Sequence, residues 1–173
     1  MDFNFTQEQQ LLQRTLAEFG SRELAPAYAS RDKDDDLPRE VVSQLARMGL
    51  LAPMAEARFG GNDLDYVSIG IAHEEIARYD FNAAYVLLLS GLVGAIISSR
   101  ADERQKNAIL PPICRGEAVA ALGVTEPSGG SDAANVKLQA RRDGDSSRWP
   151  SHVKSGSITR NIRHSPSGMY AAQ

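Results

Sequence analysis

The chain has 173 residues, enough for one substantial core or two modest domains. Its 19 basic and 22 acidic side chains leave a net charge of −3, which removes the case for a nucleic-acid partner; the single cysteine, Cys114, has no internal disulfide partner and no metal-site spacing around it. Met1 to Thr6 lacks a basic and apolar leader, so a mature, cytoplasmic protein is expected.

Thr6-Gln7-Glu8-Gln9 has the form of a capping box ahead of Leu12, Leu16 and Phe19, which repeat at helical spacing and predict a first helix to about Leu24. Pro26 marks a break and opens a short second helix through Tyr28. Arg31 to Asp36 reads as a charged, solvated connector rather than a cation site, because no further ligands accompany the aspartates. Pro38 suits the first turn of a helix with Val41, Val42, Leu45 and Met48 inward and Gly49 as its stop. Phe59-Gly60-Gly61-Asn62 is a turn, not a phosphate cradle, since neither a lysine nor a helix start follows in register. Asp65 caps a helix on which Ile69, Ala72, His73 and Ile76 share a face, making His73 a side chain at the core margin rather than a base.

Phe81 to Ser99 carries no charge over nearly a bilayer's span, but Asn82, Ser90, Gly91 and Gly94 favour a central core helix over a membrane segment. A short polar helix, Asp102 to Leu110, is expected to close at Pro111-Pro112, with one more turn over Ile113 to Gly116. At Ala118 the period changes. Strands are predicted over Ala118 to Val124 and Val136 to Arg142, with a hairpin turn at Asp143-Gly144. The fold class is therefore α+β: an all-helical domain over 1–117, the start of a β-sheet domain over 118–145, and an atypical tail over 146–173.

Between the two strands lies the segment whose composition asks for chemistry. Pro127 fixes its own φ, and Gly129 and Gly130 let a ligand approach the backbone beside the hydroxyls of Thr125, Ser128 and Ser131. A glycine pair alone reads more readily as a polar turn between two strands than as a phosphate cradle.

The full string, Gly123-Val-Thr-Glu-Pro-Ser-Gly-Gly-Ser-Asp132, closely resembles the flavin-binding signature of the acyl-CoA dehydrogenase family. Phe5-Thr-Gln-Glu-Gln9, the Phe-Gly-Gly turn, Glu74-Glu-Ile-Ala-Arg78 and Arg115-Gly-Glu117 extend the resemblance over residues 1 to about 145. It implies a helical domain followed by a β-barrel-like one, FAD as cofactor, and an acyl-CoA thioester as substrate. It also implies an electron-transferring flavoprotein as electron acceptor and a homo-oligomer in the full-length form; no nucleic acid, membrane or metal enters. By the same resemblance, the backbone of Leu122 and Val124 and the Thr125 hydroxyl face the isoalloxazine ring, and Ser131 lies near both the pyrophosphate and the CoA arm. Asp65 to Gly70 and Gly130 to Asn135 are similar to members acting on alicyclic thioesters such as cyclohexanecarboxyl-CoA. The implied reaction is dehydrogenation between Cα and Cβ, with a glutamate taking the α-proton and flavin N5 the hydride.

Beyond Asp145 the family pattern ends. Ser157-Ile158-Thr159 either stands in for the family's flavin triplet, with Thr159 as the N5 partner, or belongs to an out-of-frame tail in which His152 and His164 are accidental. Family members are much longer and end in a helical bundle that carries the glutamate base, part of the CoA site and oligomer contacts. No glutamate of this chain matches that base, so no catalytic residue is assigned. The chain is thus expected to be an acyl-CoA dehydrogenase cut before its base, or a non-catalytic partner lending part of a flavin/CoA site.

Overall fold

The structure, a computed structural model, describes residues 4–33, 37–122, 125, 130–132 and 137, together with the backbone of four short strands between 141 and 172. Helix α1, Gln7–Phe19, starts at the predicted capping box: the Thr6 hydroxyl accepts from Gln9 N at 3.2 Å, and Gln9 Oε1 accepts from Thr6 N at 3.1 Å. It does not stop before Pro26. A π-helical turn, Gly20–Leu24, leads directly into α2, Ala25–Arg31, and Ala25 N donates to Gly20 O across the widened turn. That widening admits a proline, which has no N–H and whose ring crowds a carbonyl one ordinary turn back. Gly20 is also a close approach, since a Cβ there would overlap the Tyr79 ring.

The charged connector is corrected at its first residue. Arg31 ends α2 and is 8 % exposed, with Nε 3.0 Å and Nη2 2.6 Å from Asp80 Oδ2, while Nη2 also donates to Leu24 O. The rest of the aspartate run, 34–36, lies outside the described residues.

Helix α3, Arg39–Arg47, buries Val41, Val42 and Leu45, and Gly49 leaves it with φ of 71°. A 3-10 turn, Ala57–Phe59, ends at Gly60, whose φ of 92° makes glycine the residue for that corner. Helix α4, Tyr66–Tyr79, begins at the Asp65 carboxylate, which accepts from Ser68 N at 2.7 Å. Asp80 ends α4 and caps α5, Phe81–Arg100, accepting from Ala83 N at 3.0 Å.

On α5 the side turned inward carries Ala83, Ala84, Leu87, Ser90, Gly91, Gly94 and Ile97. Its small residues allow a close crossing: a Cβ on Gly94 would sit 2.9 Å from Ala52 Cβ. The other side exposes Phe81, Tyr85, Leu88, Leu92 and Ile96. The helix is long and apolar enough to cross a membrane by length and composition, and it is not buried all round as its composition suggested.

Helix α6, Glu103–Cys114, opens with a second capping box at Asp102 and Gln105. It runs through Pro111 and Pro112 instead of closing before them. The fixed φ of proline suits a helix, and buried Leu110, Ile113 and Cys114 hold the last turn in place. Gly116, with φ of 72°, then ends it: Gly116 N donates to Ile113 O and Glu117 N to Pro112 O, both at 2.9 Å. The core of this unit centres on Leu16, Leu24, Leu45, Leu50, Leu51, Ile76, Leu87 and Leu110, none more than 1 % exposed. Burying each such side chain contributes about 1.5–3 kcal/mol.

The chain divides into two compact units, Met1–Glu117 and Ala118–Gln173. In the second, the predicted strand from Ala118 appears, over its described part 118–122, as a single bridge residue, Val119. Of the strand expected over Val136 to Arg142, the described part is β1, Arg141–Asp143, which pairs antiparallel with β2, Ser146–Arg148, Asp143 opposite Ser146. A second ladder pairs β3, Ile162–His164, with β4, Tyr170–Ala172. Among the described residues the second unit shows these two separate three-residue ladders, and most of the segment expected to open a sheet domain, 123–124, 126–129, 133–136 and 138–140, lies outside them. A strand needs neighbours from elsewhere in the chain, and the sequence after Asp145 has no sustained alternation to supply them.

Candidate functional site

The helical unit ends in a charged pair. Just past Gly116, the Arg115 guanidinium grips Glu117 with both arms, Nε to Oε1 at 2.7 Å and Nη2 to Oε2 at 2.8 Å. This pair holds the Glu117 carboxyl below its usual range and pushes Arg115 up, the hydrogen bond being the larger cause for each. The fork is exposed, so it steers the chain more than it stabilises it.

Leu122 is 42 % exposed. Thr125, Gly130, Ser131 and Asp132 are exposed too. Gly130 and Thr125 stand close: an added Cβ on Gly130 would lie 3.2 Å from Thr125 Cγ2 and 3.5 Å from its Oγ1. Two motif positions five residues apart are thereby brought together. Among the described residues no hydrogen bond engages the Thr125 or Ser131 hydroxyl. Val124 and Thr159 lie outside the described residues.

Residues 6–117 match the family model described as "Acyl-CoA dehydrogenase, N-terminal domain". The chain belongs to the acyl-CoA dehydrogenase family. It is similar to the short-chain-specific acyl-CoA dehydrogenase of Clostridium acetobutylicum, 32% identical over 146 residues, 84% of this chain and 38% of the relative. Among solved structures it is similar to butyryl-CoA dehydrogenase from Megasphaera elsdenii, with a TM-score of 0.73 and 32% identity over 84% of this chain and 39% of that one. A structure reported for the electron transferring flavoprotein of Acidaminococcus fermentans superposes with a TM-score of 0.78 and 33% identity, covering 86% and 40%. This acyl-CoA dehydrogenase chain therefore spans about two fifths of the length of these relatives.

Other polar groups of the helical unit have structural work. His73 is half-buried, its Nδ1 2.8 Å from Ile69 O. A carbonyl only accepts, so Nδ1 carries the proton and the ring is tied to its own helix. Glu75, 1 % exposed, accepts from Gln13 Nε2 at 3.0 Å and lies 3.4 Å from Arg78 Nη2, joining α1 to α4. Glu75 stands four residues after Ile71 on the buried face, and that spacing is the signal in the sequence that it turns inward. An open recess of about 400 Å³, lined by Phe19, Glu23, Gln44, Arg47 and Met48, contains no motif residue.

Proposed function

We propose that this chain supplies the flavin-facing wall of an FAD-dependent acyl-CoA dehydrogenase, which removes hydrogen from Cα and Cβ of an acyl-CoA thioester. The observation that carries the reading is the family match over 6–117 followed by the motif at 123–132, of which Thr125 and Ser131 are described and exposed. FAD, when bound, supplies the hydride acceptor. The chain's own residues bind and orient it: Leu122 and Val124 through their backbone, Thr125 at the ring, Ser131 toward the pyrophosphate and the CoA arm, and Thr159 at N5 if the tail replaces the family triplet. No residue of this chain is assigned as the base.

An electron-transferring flavoprotein as acceptor is supported by the likeness to the Acidaminococcus fermentans structure, and a reducing cytoplasm by the buried free thiol of Cys114. Homo-oligomerisation of the full-length form belongs to the same proposal. The acyl group is narrower still. Relatives at 32% identity are named for short-chain substrates and others at 28% for glutaryl-CoA, so an alicyclic thioester is one candidate among several.

The test is the absorption spectrum of the purified 173-residue chain, followed by FAD titration. An oxidised-flavin spectrum is expected, and Thr125→Val and Ser131→Ala should each weaken binding without moving the melting temperature. Flavin bound without turnover of butyryl-CoA would identify the non-catalytic partner; a protein that takes up no flavin would end the proposal.

A further inference from the structure

Gly130 stands in the motif without a backbone reason to be glycine. A left-handed φ is recorded for Gly49, Gly60 and Gly116 and not for Gly130. The reason is a neighbour. The space where its Cβ would stand is taken up by the Thr125 side chain, with Cγ2 at 3.2 Å, Oγ1 at 3.5 Å and Cβ at 3.9 Å. The methyl and the hydroxyl of Thr125 thus straddle one point above the Gly130 Cα. A methyl placed there presses on Cγ2, the nearer of the two. Because threonine is branched at Cβ, the relief open to it is to leave its χ1 well or shift its backbone, and either change re-aims the hydroxyl.

We infer that Gly130 is a positioning residue for the flavin site: by lacking a side chain it lets Thr125 hold the rotamer that presents its hydroxyl to the ring. This rests on the proposed flavin role of Thr125, and it adds that the glycine acts through the Thr125 methyl rather than on the cofactor. Both residues are exposed, so the consequence of filling the space falls on ligand geometry and not on the core.

The geometry sets up its own rescue. The tight contact is to Cγ2, whereas 3.5 Å to Oγ1 is ordinary van der Waals distance. Thr125→Ser deletes the methyl and keeps the hydroxyl. The experiment compares the wild-type chain, Gly130→Ala, Thr125→Ser and the double variant by FAD titration, followed through quenching of flavin fluorescence. In parallel, three-bond NMR couplings report χ1 of residue 125 in the flavin-free chain.

Gly130→Ala is expected to change the Thr125 couplings and to weaken FAD binding by about two-fold to ten-fold, the range of one hydrogen bond, at an unchanged melting temperature. The double variant should bind FAD as Thr125→Ser alone does. Equal weakening by Gly130→Ala in both backgrounds overturns the inference, because the added methyl would then act without Thr125. Altered couplings with wild-type affinity also overturn it, while leaving the flavin site itself standing. A wild-type chain that binds no FAD removes the flavin reading and this inference together, and the couplings then still report whether the two residues touch.

Discussion

Asp80 shows how much one side chain carries in this molecule. One carboxylate oxygen caps α5 at Ala83 N; the other holds Arg31, and nothing of Asp80 is exposed. Asp80→Ala should lower stability in urea unfolding by about 3–5 kcal/mol, because it strips the cap and leaves a guanidinium buried without its countercharge. Asp80→Asn preserves a capping oxygen and should fall between that and the wild type. Asp65 offers a pH prediction. Its carboxyl is held below the usual range, first by the Ser68 backbone N–H and only then by lesser bonds. A carboxyl depressed in the folded state adds stability that is complete above its unfolded pKa and lost as pH falls through the folded one. Melting temperature followed between about pH 5 and pH 2 should therefore decline less steeply for Asp65→Asn, which retains the cap but does not titrate. A parallel decline in both proteins would rule out this contribution.

Among elements, α5 depends most on the size of its inward residues. Gly94→Ala places a methyl 2.9 Å from Ala52 Cβ, and overpacking of this kind costs about 1–3 kcal/mol. Pairing it with Ala52→Gly should recover part of that loss, though not all, since Ala52 Cα would still lie 3.3 Å away. Chemical denaturation of the two single variants and the double variant measures the coupling. The α1–π turn–α2 passage shows a different device, in which a wide turn carries the chain past Pro26 without a break and Arg31 returns to the Leu24 carbonyl inside it.

At the scale of the whole molecule, the helical unit presents an apolar face along α5, from Phe81, 64 % exposed, to Ile96, 42 % exposed. Large contiguous apolar surface lowers solubility. Leu88→Lys and Leu92→Lys lie on that face and should raise the ammonium sulfate concentration needed for precipitation, with no loss of melting temperature, because neither side chain is in the core. A drop in melting temperature would show instead that the face is covered in solution. The second unit contributes two short ladders and the exposed motif residues, so the candidate site depends on the loop's internal contacts, of which Thr125 against Gly130 is the one described.

The sequence by itself determined what is decided within a few residues. Thr6, Asp65 and Asp102 cap helices, and Gly49 ends one, because each feature satisfies backbone groups one turn away. The candidate site was nameable for a different reason: its signature is contiguous, so the resemblance it carries pointed to Thr125 and Ser131 without any tertiary contact. Tertiary structure decided whatever needed a distant partner. Arg31 reads as part of a solvated run until Asp80, 49 positions away, draws it inside. Pro111 and Pro112 read as a stop until the burial of Ile113 and Cys114 carries α6 past them, and α5 reads as buried throughout until one face proves to have no cover. The strands are the extreme case: a strand's hydrogen bonds belong half to its neighbours, and a period-two pattern names the strand without naming them.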